Sequence, residues 1–326
     1  MLQKLTSSKK PGGTTVASPS KFPYLVALRP HQWTKNLIVF AAPVFAFSLD
    51  WRSLGGSLLA FVLFCAASSS FYLLNDIADV KADRQHPIKC QRPIAAGQVK
   101  IPIALAMALA LLTSALIIGW GKSPALGITL IGYALLQVAY NLKLKRIPLL
   151  DILAIATGFV LRAYAGAAAS GIVLSVWFIF CTAMLALFLA VEKRKAELRL
   201  LQIRGGKTRA VLKSYSLNLL TRMESIVTTG AFMGYALWSS GPVVNGASTP
   251  WMMLTFPFVL YGIFRYQMLS DSKEQIDEDF GDVNQHEQTE RPEEILLTDI
   301  PILLTVVGWI VMILAILWLK QQGAID

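Results

Sequence analysis

Residues 58–97 read LLAFVLFCAASSSFYLLNDIADVKADRQHPIKCQRPIAAG. An apolar run with small residues reaches Leu74 and stops abruptly at Asn75 and Asp76, with Asp79 and Asp83 behind them. Spacings of three and seven predict that the carboxylates share one face of a helix. Oxygen ligands grouped this way suit Mg²⁺, a hard cation that usually completes its shell with substrate phosphate oxygens. Lys81, Arg84, Lys89 and Arg92 follow, and arginine in particular forks onto phosphate. Acid followed by base at the mouth of a membrane helix predicts a site for a metal-bound diphosphate. The competing reading is a solvated charged loop that only orients the protein.

Working outward, the composition sets the surroundings. Hydrophobic residues make up 55% of 326 and charged residues 15%, with a mean hydropathy of +0.54. No ordinary soluble domain needs that much apolar surface. Windows of about 20 apolar residues, each able to cross a hydrocarbon core of roughly 30 Å, recur along the chain. They predict spans near 25–48, 53–75, 101–120, 122–142, 149–169, 172–191, 222–240, 250–269 and 299–319. The expectation is therefore an all-α polytopic membrane protein, nine transmembrane helices around a central cavity open to cytoplasm and bilayer. Residues 21–326 form its single membrane domain. Residues 1–20, rich in Lys, Ser, Gly and Pro and without an apolar core, predict a disordered cytoplasmic tail rather than a signal peptide.

Charge predicts the orientation. With the first span starting inside, the cytoplasmic loops are 76–100, 143–148, 192–221 and 270–298, carrying KADRQHPIKCQR, KLKR and EKRKAELRLLQIRGGKTRAVLK. The opposite loops have only Arg52, Lys320 and, nearby, Lys122. The positive-inside rule then puts the N-terminus and the site in the cytoplasm and the C-terminus outside, as expected of a multi-pass protein of a bacterial plasma membrane. The net charge of +10 is unevenly spread: ten of the 20 acids lie in 271–298 with only Lys273 and Arg291 as bases, leaving 28 bases and ten acids elsewhere. Such a body suits anionic lipid and anionic substrate, and no base-reading module suggests nucleic acid. The acidic stretch predicts a solvated loop. Cys65 and Cys181 sit in apolar spans, Cys90 lies on the cytoplasmic side, and no Cys/His pair has zinc spacing.

Three further clusters accompany the aspartates. LRPHQWTKN at 28–36 puts Arg29, His31, Lys35 and Asn36 at or inside the first span. Charges at that depth mark function, although Arg29 beside Trp33 also fits interfacial snorkelling. YNLKLKRIPLLD at 140–151 places Tyr140, Lys143, Lys145 and Arg146 at the cytoplasmic mouth before Asp151. Arg162, in the middle of the fifth span, must face the bundle interior, where Gly158 and Gly166 allow close packing. FLAVEKRKAELR at 188–199 supplies Glu192, Lys193, Arg194, Lys195 and Glu197, and Lys193 and Glu197 share a helix face. This cluster and the aspartate loop each follow an even-numbered span, which predicts two lips over one cavity, one acidic and one basic. His86 either lines the site or is incidental to its loop.

NDIADVKAD resembles the first aspartate motif, NDxxDxxxD, of the UbiA-type intramembrane prenyltransferase superfamily. RPHQWTKN, NDIxDxxxDxxHPxKxxRPIAxG, YxLxLKxxPxLD and KRxAEL, in that order from about 25 to 200, more narrowly resemble the decaprenyl-phosphate phosphoribosyltransferases. The last third agrees in span pattern only. The resemblance implies Mg²⁺-dependent transfer of 5-phosphoribose from phosphoribosyl diphosphate to a polyprenyl phosphate, with release of diphosphate, for cell-wall arabinan precursors. It implies catalytic and metal-holding roles for Asp76, Asp79 and Asp83, with Asn75 as a further ligand. Arg29, Lys35, Asn36, Lys89, Arg92, Tyr140, Lys143, Lys145, Arg162, Lys193, Arg194 and Glu197 would bind substrate. Membrane lipids are expected partners, and homo-oligomerisation stays open.

The chemistry is consistent with the residues read on their own. An acceptor phosphate is already an anionic nucleophile, so no strong base is needed, and positioning plus charge neutralisation suffices. One departure matters. Prenyltransferases of this superfamily typically carry a second aspartate-rich motif, whereas this chain has Glu192-Lys-Arg-Lys-Ala-Glu197. Prenyl transfer from a prenyl diphosphate is the alternative within the fold. A transporter is the alternative outside it, but no paired broken segments repeat in the two halves.

Overall fold

The computed structural model describes residues 22–86, 88–204, 210–279 and 298–325, and among these every regular element is helical. The predicted tail 1–20 and most of the acidic loop 271–298 lie outside the described residues. The first segment is broken rather than a single span: α1 (Pro23–Ala27), a 3₁₀ stretch (Pro30–Phe40) and α2 (Ala41–Phe45) follow one another. Pro23 and Pro30 each lie in the first turn of their helices, where a missing N–H costs nothing, and Arg29 between them takes a left-handed conformation at φ 55°. Then come α3 (Trp51–Ala78), α4 (Val80–Asp83), α5 (Ile101–Lys122), α6 (Pro124–Leu142) and α7 (Leu150–Ser170). The C-terminal half is α8 (Val176–Arg204), α9 (Leu217–Ser239), α10 (Phe256–Asp279) and α11 (Ile300–Gln321).

Local chemistry sets these boundaries. Asp50 caps α3, accepting from the Arg52 and Ser53 amides at 2.9 and 3.0 Å, and the Ser53 hydroxyl and amide hold its carboxyl down at about 2. Ser123, Ser216 and Asp299 cap α6, α9 and α11 in the same way. Gly171, at φ 71°, closes α7 as a left-handed C-terminal residue. Among the described residues six helices are long and apolar enough to cross a membrane: α3, α5, α6, α7, α8 and α11. Six of the nine expected spans meet this criterion. The broken first segment is too short in each piece, and α9 and α10 carry too many polar groups, including Arg222, Glu224, Arg265 and Gln267.

The helices pack in chain order, α3 against α5 and α7, α7 against α8, α8 against α9, and α10 against α11. One core, around Phe64, Leu126, Leu130 and Tyr133, fills the α3–α5–α6–α7 half. A second, around Phe178, Tyr235, Trp238 and Ile313, fills the other. The broken segment ties them together. Its 3₁₀ part lies on α3 and α7, while Phe45 is packed edge-on among Phe178, Trp238 and Trp309 at 5.0–5.2 Å between ring centres. That close approach depends on Gly166, where an added Cβ would stand 1.9 Å from the Val39 carbonyl oxygen.

Candidate active site

The deepest of the predicted charges explains how a cavity forms. Arg162 on α7 is 7% exposed. An arginine at the centre of a membrane helix costs about 2.5–3.5 kcal/mol on insertion scales. Its Nε donates to Asn36 Oδ1 at 2.6 Å, Nη1 to the Gly158 carbonyl at 2.7 Å and Nη2 to the Tyr133 hydroxyl at 3.0 Å. Hydrogen bonds to a charged group contribute roughly 1.5–3 kcal/mol each, so three offset the insertion cost. The guanidinium also lies 4.8 Å from the Tyr133 ring centre and 5.6 Å from that of Phe159. Asn36 is fully buried, its amide donating to Cys65 Sγ at 3.2 Å, so it serves here to hold Arg162.

Above Arg162 lies a polar cavity of about 180 Å³ whose walls carry Lys35, Tyr72, Asn75, Tyr140, Arg162 and Lys193. Among the described residues, three cations and no carboxylate line it. Five of these six are residues expected from sequence to serve the site; Tyr72 is not. Ser68, Tyr133, Gln137 and Asn141 also contribute and went unpredicted. Tyr133, Gln137 and Asn141 recur every four residues through an otherwise apolar span, and that stripe was the available signal.

The aspartate motif stands at the rim beside Asn75. Asp76 Oδ1 accepts from Arg29 Nη2 at 2.5 Å and from Arg92 Nη1 at 3.1 Å. Arg92 Nη1 also donates to Asp83 Oδ2 at 2.7 Å. Arg29 in turn lies 5.0 Å from the ring centre of Tyr72, which joins this group to the cavity wall. Asp76 and Asp83 are both buried. Asp79 is not: α3 ends at Ala78, Asp79 bends the chain into α4, and its side chain is exposed. The three carboxylates expected on one face therefore divide into a buried pair and an outward third. Among the described residues no three His, Cys, Asp or Glu side chains converge as a metal-binding group. Two carboxylates beside the Asn75 amide still fit Mg²⁺, which takes one or two protein carboxylates and fills its octahedron with water and phosphate oxygens.

The remaining expected residues are placed elsewhere. Lys89 and Lys143 are exposed, and Lys145 is half-buried in the 3₁₀ turn Leu144–Arg146; none lines the cavity. His86 is exposed, its Nδ1 accepting from the Ile88 and Lys89 amides, so it closes the loop turn. The loop expected from 192 opens as helix, since α8 continues to Arg204. Its charges are mostly internal. Arg194 is fully buried, paired with Asp151 at 2.7 Å and with Glu197. Lys195 joins Glu192 and Glu224, which accepts from Gln267. Only Lys193 of this group reaches the cavity. The expected basic lip is thus largely a set of ion pairs that bind α8 to α7, α9 and α10.

Tyr215 completes that hub. Its hydroxyl donates to Asp151 Oδ1 at 2.7 Å and accepts from the Leu149 amide at 2.6 Å. Burial pushes this hydroxyl up to about 12, so it remains a donor at neutral pH. Leu149 has φ 69°, a strained conformation for leucine that costs on the order of 1–3 kcal/mol. Behind the polar cavity, on the far side of Phe159, a second cavity of about 390 Å³ is lined by Ile38, Phe45, Phe178, Leu185, Tyr235 and Trp309 among others. A cationic chamber and an apolar one share one aromatic wall. That arrangement can hold the phosphates of one molecule against a lipid-tailed second.

Residues 37–280 match the UbiA prenyltransferase family. The chain is 37% identical over 297 residues to the decaprenyl-phosphate phosphoribosyltransferase of Mycolicibacterium smegmatis, covering 87% of this chain and 89% of that one. To the enzyme of the same name from Corynebacterium glutamicum it is 38% identical over 293 residues, covering 87% and 83%. In fold it is similar to a UbiA homolog from Archaeoglobus fulgidus solved with DMAPP and Mg²⁺, with a TM-score of 0.67 at 18% identity over 90% of this chain and 98% of that one.

Proposed function

The chain belongs to the UbiA prenyltransferase family and is a multi-pass membrane transferase; we propose that the group it moves is 5-phosphoribose, from phosphoribosyl diphosphate to a polyprenyl phosphate. The observation that carries this reading is the chamber walled by Lys35, Arg162 and Lys193, which opens beside the Asp76–Asp83 pair and backs onto the apolar cavity at Phe159. A donor with a 5-phosphate as well as a diphosphate needs cations beyond those at the aspartates. A prenyl diphosphate needs none deep in the cavity. The names of the relatives support the same choice.

In this reading Arg29 and Arg92 receive the diphosphate oxygens, and Lys35, Arg162 and Lys193 orient the remaining phosphates. An oxygen of the lipid phosphate attacks C1 of the ribose while the C1–O bond to diphosphate breaks, and diphosphate departs with the bonding electrons. No proton need leave the nucleophile. Mg²⁺, held by Asp76, Asp83 and Asn75 with phosphate oxygens, would neutralise charge accumulating on the leaving group. Asp79, at the exposed bend, would act only if the bend closes on binding. The apolar cavity takes the first isoprene units. Nine spans, a cytoplasmic site and a product used for arabinan precursors are the finer parts of the same proposal.

The test feeds purified protein labelled phosphoribosyl diphosphate and, separately, a labelled prenyl diphosphate, each with polyprenyl phosphate and Mg²⁺. The expected outcome is a radiolabelled phosphoribosyl lipid from the first donor alone, lost in Asp76→Asn. A prenylated product from the second donor overturns the reading.

A further inference from the structure

We propose that Arg92 is a specificity-determining residue: it stands in for the metal between Asp76 and Asp83 and yields that place only when a diphosphate arrives with the cation. One nitrogen, Nη1, lies 3.1 Å from Asp76 Oδ1 and 2.7 Å from Asp83 Oδ2. Both carboxylate side chains are nearly closed off, at 4% and 6% exposure. A Mg²⁺ ion serving the same two oxygens must stand about 2.0–2.1 Å from each. Ion and guanidinium cannot share that gap.

Charge makes the exchange conditional. Asp76 and Asp83 are balanced by Arg29 and Arg92, two against two. A divalent cation entering alone leaves an excess of two positive charges in a partly buried rim, where repulsion is poorly screened. A diphosphate entering with it removes that excess of positive charge and offers the freed guanidinium a bidentate partner.

Arg92 is built to move where Arg162 is not. Its side chain is 29% exposed, while its backbone is pinned by the Arg92 amide donating to Lys89 O at 3.0 Å and by Arg92 O accepting from Ala96 at 2.8 Å. Arg162, closed in by Asn36, Tyr133 and the Gly158 carbonyl, has no such freedom. Cation and diphosphate therefore bind cooperatively, each raising the affinity of the other by the same factor. Free divalent cation is kept out until a donor is present. This rests on the metal-diphosphate part of the proposed function and not on the identity of the sugar.

The experiment measures Mn²⁺ binding by electron paramagnetic resonance on the full chain in lipid nanodiscs. Inorganic diphosphate serves as the probe anion, with its own Mn²⁺ complex subtracted by a protein-free titration. Wild type is expected to bind Mn²⁺ at least tenfold more tightly with diphosphate than without. Arg92→Gln binds Mn²⁺ alone at least fivefold more tightly than wild type, and its coupling falls below threefold. Lys81→Gln, which removes an exposed charge from α4 without touching the carboxylates, shifts the affinity less than twofold. If Arg92→Gln does not fold without cation, Arg92→Lys carries the test and gains two- to fivefold. The proposal is overturned by absence of coupling in wild type, by no gain in the Arg92 variants, or by an equal gain in Lys81→Gln. Its failure leaves the donor assay above untouched, and a prenyl donor in that assay leaves this coupling standing.

Discussion

Asn36 and Arg162 show how a single polar residue acquires its role in an apolar setting. Asn36 sits among charged neighbours in RPHQWTKN, and its chemistry would suit a phosphate as well as a protein partner. The fold gives its oxygen to Arg162 Nε at 2.6 Å and leaves it no exposed surface. Replacing it by leucine leaves a buried charged donor unpaired, at a cost of about 3 kcal/mol. Thermal unfolding in detergent should show the midpoint of Asn36→Leu lowered by several degrees. An unchanged midpoint with a raised KM would return Asn36 to the substrate. That Asp76, Asp83 and Arg92 belong to one charged group was legible from residue type and spacing. The partition that buries two aspartates and exposes Asp79 was not, because it depends on the bend after Ala78 and on an arginine nine residues beyond Asp83.

Among the elements, the broken first segment is held by close backbone contact more than by side-chain burial. Gly166 lets α7 approach the 3₁₀ stretch until the Val39 carbonyl lies where a Cβ would be. Gly166→Ala must push the two apart, and overpacking of this kind costs about 1–3 kcal/mol. Gly132 on α6 meets nothing within 4 Å, so Gly132→Ala should gain up to about 1 kcal/mol from helix propensity alone. Unfolding midpoints of the two variants should move in opposite directions; a fall in both, or in neither, would contradict the packing described here. The proline pattern of 23–43 announced an irregular segment. Its contact with α7 joins residues more than 120 positions apart, beyond the reach of local pattern.

For the whole molecule, lysine and arginine asymmetry predicts that Lys145 faces the cytoplasm and Gln322 the outside. In a variant lacking Cys65, Cys90 and Cys181, a cysteine at 322 should react with an impermeant maleimide in intact cells. One at 145 should react only after permeabilisation, and the reverse pattern would invert the topology. The chain's composition, its apolar periodicity and the ordered motifs from Arg29 to Glu197 were enough to establish a helical membrane transferase with an acid–base rim, since these properties reside in the residues themselves. Which charges line the polar cavity was decided by tertiary structure alone. Lys193 and Arg194 are adjacent in sequence, yet a helical turn of about 100° per residue sends one into the polar cavity and the other to Asp151 and Glu197. A buried charge is stable only beside a partner, and where that partner lies depends on how distant helices meet.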